Sequence, residues 1–121
     1  MSNPKERKRV FKDYLFDIKD SISEILEFTT GMSFEEFSSD RRTSHAVVRC
    51  LEIIGEAVKN IPDTVKARYT EIPWREVAGM RDKMIHEYFG VDLEIVWQSI
   101  AEDLPLLESA IKKLIDELTD C

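Results

Sequence analysis

Arg81, His86 and Tyr88 stand close together in the run Met80-Arg81-Asp82-Lys83-Met84-Ile85-His86-Glu87-Tyr88-Phe89-Gly90-Val91-Asp92. Arginine carries a permanent cation whose fork of donors fits phosphate oxygens, and histidine exchanges a proton near neutral pH. No other stretch of the 121 residues offers side chains so suited to chemistry on an anionic substrate. Breaking an RNA phosphodiester without a metal means taking a proton from the 2′-hydroxyl and giving one to the leaving 5′-oxygen, work normally shared by two groups. The chain has one well-placed histidine. A two-fold homodimer would bring two copies of His86 and Arg81 to one cleft, with the arginines stabilising charge that develops on phosphorus. A metal route is disfavoured, because neither His45 nor His86 has a partner at ligand spacing and no HxH, HxxE or DxD pattern occurs. No cofactor is expected.

These residues are predicted to sit at the end of a helix over 73–89. At about 100° per residue, Met80, Met84, Val77, Tyr88, Trp74, Ile85 and Ala78 form an apolar arc with Arg81 near its middle. A guanidinium there must meet a carboxylate, a subunit interface or an anionic ligand, because burying it uncompensated is costly. His86 falls on the opposite side with Asp82, Arg75 and Gly79. Asp82, one turn earlier, could hydrogen-bond the imidazole and fix its tautomer, and Gly79 leaves room for a close approach. On an ideal helix Arg81 and His86 are about 140° apart, so either the helix loosens or a second subunit completes the site. Plainer readings stay open: Arg81 as a structural ion pair with a glutamate of an earlier helix, His86 as a cation at a helix C-terminus, Tyr88 as a core aromatic with its hydroxyl at the rim.

The remaining elements also read as helices. Phe11, Leu15, Ile18, Ile22, Ile25 and Leu26 recur at three- and four-residue steps over about 8–29, and Thr30-Gly31-Met32 ends that helix. Ser33 and Glu36 form a candidate capping box for a short helix with Phe34 and Phe37. A second long helix over 41–60 buries Ala46, Val47, Cys50, Leu51, Ile54, Ala57, Val58 and Ile61, and turns His45, Arg49, Glu52, Glu56 and Lys59 outward. Arg49 is the one residue of that outer face placed near the cleft, as an RNA contact. Pro62 and Pro73 open helices; Asp92 caps a last long one with Leu93, Val96, Ile100, Leu104, Leu107, Ile111, Leu114 and Leu118, kinked at Pro105. Trp97 is a candidate for the dimer interface. The expected fold is all-α, an up-and-down bundle of four to five helices forming a single domain over 1–121.

With 43% apolar and 34% charged residues the chain suits one modest core. Its apolar runs fall well short of the ~20 residues that cross a bilayer, and its start lacks the apolar stretch of a secretory signal, so a cytoplasmic protein without membrane contact is expected. Cys50 and Cys121 lack the spacing of a disulfide framework or zinc site and are read as reduced thiols without a catalytic role. The net charge of −7 argues against unspecific nucleic-acid binding. Yet residues 41–90 carry +2 between flanks of −3 and −6, which places a local positive site, with Arg81 and His86 in it, on an acidic body.

Arg81-Asp82-Lys83-Met84-Ile85-His86-Glu87-Tyr88 resembles the R-x4-H-x-Y motif of HepT-like toxins, a branch of the HEPN superfamily of small helical bundles. The similarity continues through Phe34-Glu35-Glu36-Phe37, Asp40-Arg41-Arg42, Ala46-Val47-Val48-Arg49, Ile53-Ile54-Gly55-Glu56-Ala57, Ile72-Pro73-Trp74-Arg75-Glu76 and Gly90 to Trp97, over roughly 10–100. The resemblance implies a metal-independent endoribonuclease acting as a homodimer, with Arg81 and His86 as the catalytic pair at a cleft between subunits. It also implies a partner, a small nucleotidyltransferase antitoxin that attaches adenylate to Tyr88 and silences the toxin. Two positions depart from the family pattern: Asp82 and Cys50 stand where asparagine is frequent. From another class comes a second reading, a non-catalytic helical module that binds a nucleotide or the nucleotidyltransferase.

Overall fold

The computed structural model describes residues 4–79, 85–86 and 90–119, with side chains over 11–79 and 92–118. Among these, seven helices carry the fold: α1 (Pro4–Thr29), α2 (Phe34–Ser39), α3 (Arg41–Lys59), α4 (Asp63–Lys66), α5 (Trp74–Ala78), α6 (Leu93–Glu102) and α7 (Leu104–Thr119). The all-α class is as expected, with more and shorter pieces than four to five. A two-residue antiparallel pair, β1 (Ile85–His86) with β2 (Gly90–Val91), sits between α5 and α6, and Ile85 faces Val91 while His86 faces Gly90.

The apolar stripes read from the sequence become the core. Leu15, Ile18, Ile22 and Ile25 of α1 meet Val47, Leu51, Ile54 and Val58 of α3, and α7 closes the other side of α1 with Leu107, Ile111 and Leu114. Leu26 departs from its stripe and is 39% exposed, since it lies at the stripe's edge while Ile25 and Thr29 of the same turns stay buried. Gly31 takes φ 78, a left-handed conformation that stops α1 without a Cβ penalty, and the Met32 amide donates to the Thr29 carbonyl at 3.0 Å.

Caps fix the ends that follow. Ser33 Oγ accepts from the Glu36 amide and Glu36 Oε1 from the Ser33 amide, the reciprocal pair expected for α2. Asp40 starts α3 by accepting from both the amide and the hydroxyl of Thr43, which holds its carboxyl below the usual range. Phe37 is fully buried and packs on Trp97 of α6 with ring centroids 5.0 Å apart, so the indole fills an intramolecular gap between α2 and α6. Phe37→Ala is expected to lower the unfolding free energy by about 3–5 kcal/mol, read by urea titration with Trp97 as the local reporter. A loss below about 1 kcal/mol would mean this seam is not part of the core.

Two sequence expectations change. The single last helix, kinked at Pro105, is two helices that break at Asp103. Proline has no amide for the carbonyl one turn back and crowds it, so it is tolerated only near a fresh helix start, and α7 begins one residue before it. The helix over 73–89 is described as helix only over Trp74–Ala78, and Ile85 and His86 are extended and paired. Gly79 closes α5 with its amide on the Arg75 carbonyl at 2.9 Å. The poor helix propensity of glycine favours ending α5 there.

Candidate functional site

Arg81, Asp82 and Tyr88 lie outside the described residues, and of His86 the backbone alone is described, in β1. The roughly 140° separation of Arg81 and His86 assumed a continuous helix, which the extended backbone at His86 does not continue. What the structure defines is how the two ends of the motif segment are held.

The entry end is fixed through backbone contact. Gly55 lies buried in α3, and a Cβ built there would stand 3.3 Å from the Val77 carbonyl oxygen and 3.4 Å from that of Ala78. The last turn of α5 thus rests on α3 at a point where only glycine fits without displacement. Sequence reasoning looked for the close approach at Gly79, where an added Cβ would meet only the Arg75 carbonyl of its own turn, at 3.3 Å. Gly55 on the buried side of a helix, amid larger apolar residues, was the available signal.

Side-chain ties hold the preceding turns. The Trp74 indole donates to the carbonyls of Lys66 (3.1 Å) and Tyr69 (3.0 Å), clamping α5 to the turn after α4. The Tyr69 hydroxyl donates to Glu117 Oε1 of α7 at 2.7 Å, and Arg68 stands 3.7 Å from Glu117 Oε2. Burial, followed by that carboxylate, pushes the Tyr69 phenol up to about 12.

The exit end is fixed by a cap and by packing. Asp92 Oδ1 accepts from the amides of Glu94 (3.0 Å) and Ile95 (3.3 Å), as the sequence predicted, and Leu93 with Trp97 packs against the core. Leu93 shares a groove with Ser38, Arg41, His45, Val48 and Arg49. The chain therefore enters the motif beside Gly55 and re-emerges beside His45 to Glu52, both on α3 and about 5 to 15 Å apart along it. Arg49 lies within the second of these stretches.

Arg49 itself is 70% exposed at the side chain and stands 3.8 Å from Glu52 Oε2, with Lys59 and Glu56 at 3.7 Å two turns on. Such exposed pairs contribute little, so the guanidinium is open to a stronger anion. Glu52 and Glu56 also line a second groove, of about 590 Å³, between α3 and Tyr14 and Asp17 of α1. Cys50, one residue from Arg49, points the other way: its thiol donates to Glu24 Oε2 at 3.4 Å. Burial first, then that carboxylate, pushes it up to about 11, leaving almost no thiolate near neutral pH. The thiol thus makes a polar contact where the family pattern favours asparagine. Cys121 lies outside the described residues, and no described helix is long and apolar enough to cross a membrane.

An all-α bundle whose sequence carries an R-x4-H-x-Y segment between α5 and α6 defines the class, and the chain belongs to the ribonuclease HepT-like family, whose model matches residues 18–114. Over 107 residues it is 54% identical to a protein of Thermococcus cleftensis named "Probable ribonuclease HepT", covering 88% of this chain and 97% of that one. A "Putative RNase" of Methanocaldococcus jannaschii is 45% identical over 111 residues, 92% of each chain. Another, from Caldanaerobacter subterraneus, is 44% identical over 106 residues, 88% of this chain and 95% of that one. No solved structure matches the chain.

Proposed function

We propose that the chain is a metal-independent endoribonuclease, the toxin of a type VII-like toxin-antitoxin pair. The observation that carries this reading is the family match over residues 18–114, a span that includes Arg81, His86 and Tyr88. In the proposed reaction the 2′-oxygen attacks phosphorus as one His86 takes its proton. The bond to the 5′-oxygen breaks as that oxygen receives a proton from a second His86, contributed by the other subunit of a homodimer. The products are a 2′,3′-cyclic phosphate and a free 5′-hydroxyl, so no water or redox partner enters the cleavage. Arg81 offsets the charge that builds on the phosphoryl oxygens, and Asp82 supports the imidazole. The nucleotidyltransferase partner transfers adenylate from ATP to the Tyr88 hydroxyl, which loses its proton as pyrophosphate leaves, and the added bulk and negative charge beside the cleft block and repel RNA.

Expression of the chain alone tests both halves of this reading. Growth arrest is expected, with RNA cleavage by the purified protein that persists in excess chelator. Co-expression with a minimal nucleotidyltransferase encoded next to it should relieve the arrest and raise the intact mass by one or more adenylates, an increase absent from Tyr88→Phe. Harmless expression with no cleavage would favour the non-catalytic binding module instead, and a monomer in solution would remove the shared cleft.

A further inference from the structure

We propose that Arg41, His45 and Arg49 form a strip on α3 that grips the phosphates of a single RNA strand and leads it to the motif segment; the proposal rests on the ribonuclease reading. The three residues recur every four positions, so they share one face of α3, and Arg41 and Arg49 are about 12 Å apart along it. All three are exposed and line one groove with Ser38, Val48, Leu93 and the Glu52 carboxylate. Among the described residues no carboxylate forms an ion pair with Arg41, and the one ion pair of Arg49 is the 3.8 Å contact to Glu52.

The lining favours a single strand over a duplex. A duplex offers phosphates at its surface and keeps its bases stacked inside, whereas a single strand can lay bases against an apolar floor while its backbone follows a row of cations. Here Val48 and Leu93 supply the floor and the His45 imidazole a surface on which a base can stack, with Arg41 and Arg49 at the two ends. The groove also lies near the chemistry. Leu93 is three residues from Gly90, and Gly90 pairs with His86, so chain geometry keeps the His86 backbone within roughly 16 Å of this lining. In the sequence Arg41 stands out only within the Asp40-Arg41-Arg42 block of the resemblance, and His45 only as a polar position of an amphipathic helix.

Binding of a short fluorescein-labelled 2′-O-methyl RNA, which lacks the attacking hydroxyl, tests the strip separately from cleavage. Anisotropy titrations of the full chain across a salt series are compared with Arg41→Gln/Arg49→Gln and with a control, Arg68→Gln/Lys112→Gln, which removes equal charge outside the groove. The strip variant should bind at least about tenfold more weakly and lose about 1.4 from the slope of log affinity against log salt, at ~0.7 per phosphate contact on a single strand. The control should keep the slope. Equal losses in both variants, an unchanged strip variant, or a wild type that does not bind this RNA would each overturn the strip. Wild-type binding with the expected variant loss, but no cleavage of unmodified RNA, would uphold the strip and reject the ribonuclease reading. Every substituted side chain is exposed, so circular dichroism melts should coincide with wild type.

Discussion

His86→Ala is expected to lower RNA cleavage by about a hundredfold to ten-thousandfold, the range spanned by loss of one positioned acid or base. The upper end applies if one residue serves in both proton transfers, as a symmetric dimer requires. Tenfold less cleavage alone would point to a histidine that merely positions RNA. The backbone at His86 pairs with Gly90 whatever the side chain, so melting temperature and oligomeric state should not change, and the effect should appear in turnover rather than in affinity for the 2′-O-methyl RNA. Measurement of initial rates in excess chelator, with product ends identified as cyclic phosphate and 5′-hydroxyl, decides it. Undiminished cleavage by the variant would end the assignment of His86 as proton carrier.

Gly55→Val should separate holding the motif from performing its chemistry. A Cβ at residue 55 already stands 3.3 and 3.4 Å from two carbonyl oxygens of α5, and the two methyls of valine need more room than that contact has. Because the obstruction is backbone, α5 must move. The cost of such overpacking is about 1–3 kcal/mol, and a shift approaching 1 Å at the start of the motif can cost about a hundredfold in rate. Cleavage is therefore expected to fall by about tenfold to a hundredfold in a protein that remains folded at room temperature. Gly79→Ala is the contrast: its φ of −89° suits any residue, so stability should stay within about 1 kcal/mol of wild type. Full activity in Gly55→Val would show that α5 does not govern the placement of the segment that follows it.

Much of the fold was legible because burial leaves a periodic trace. The stripes of α1, α3 and α7 and the caps at Ser33 and Asp92 follow from spacing and local hydrogen bonding alone. The helix read over 73–89 holds at Trp74–Ala78 and fails at Ile85 and His86, which are extended and paired, while 80–84 and 87–89 lie outside the described residues; periodicity records burial and not backbone pairing. The break at Asp103 turned on the strength of one proline against a continuous stripe. Gly55 was opaque because its role lies in a partner some twenty residues away, and a missing side chain has no pattern of its own. At the candidate site the reverse holds. Arg81, His86 and Tyr88 were singled out by chemical type and spacing, which the sequence carries in full, whereas Arg41 and His45 acquire meaning only once Leu93 is seen to face them.

The thiol of Cys50 has a consequence for survival under oxidants. Peroxides attack thiolates, and a group that ionises near pH 11 offers about one thiolate in ten thousand molecules at pH 7. The seam between α1 and α3 should therefore outlast oxidative bursts that inactivate enzymes built around acidic cysteines.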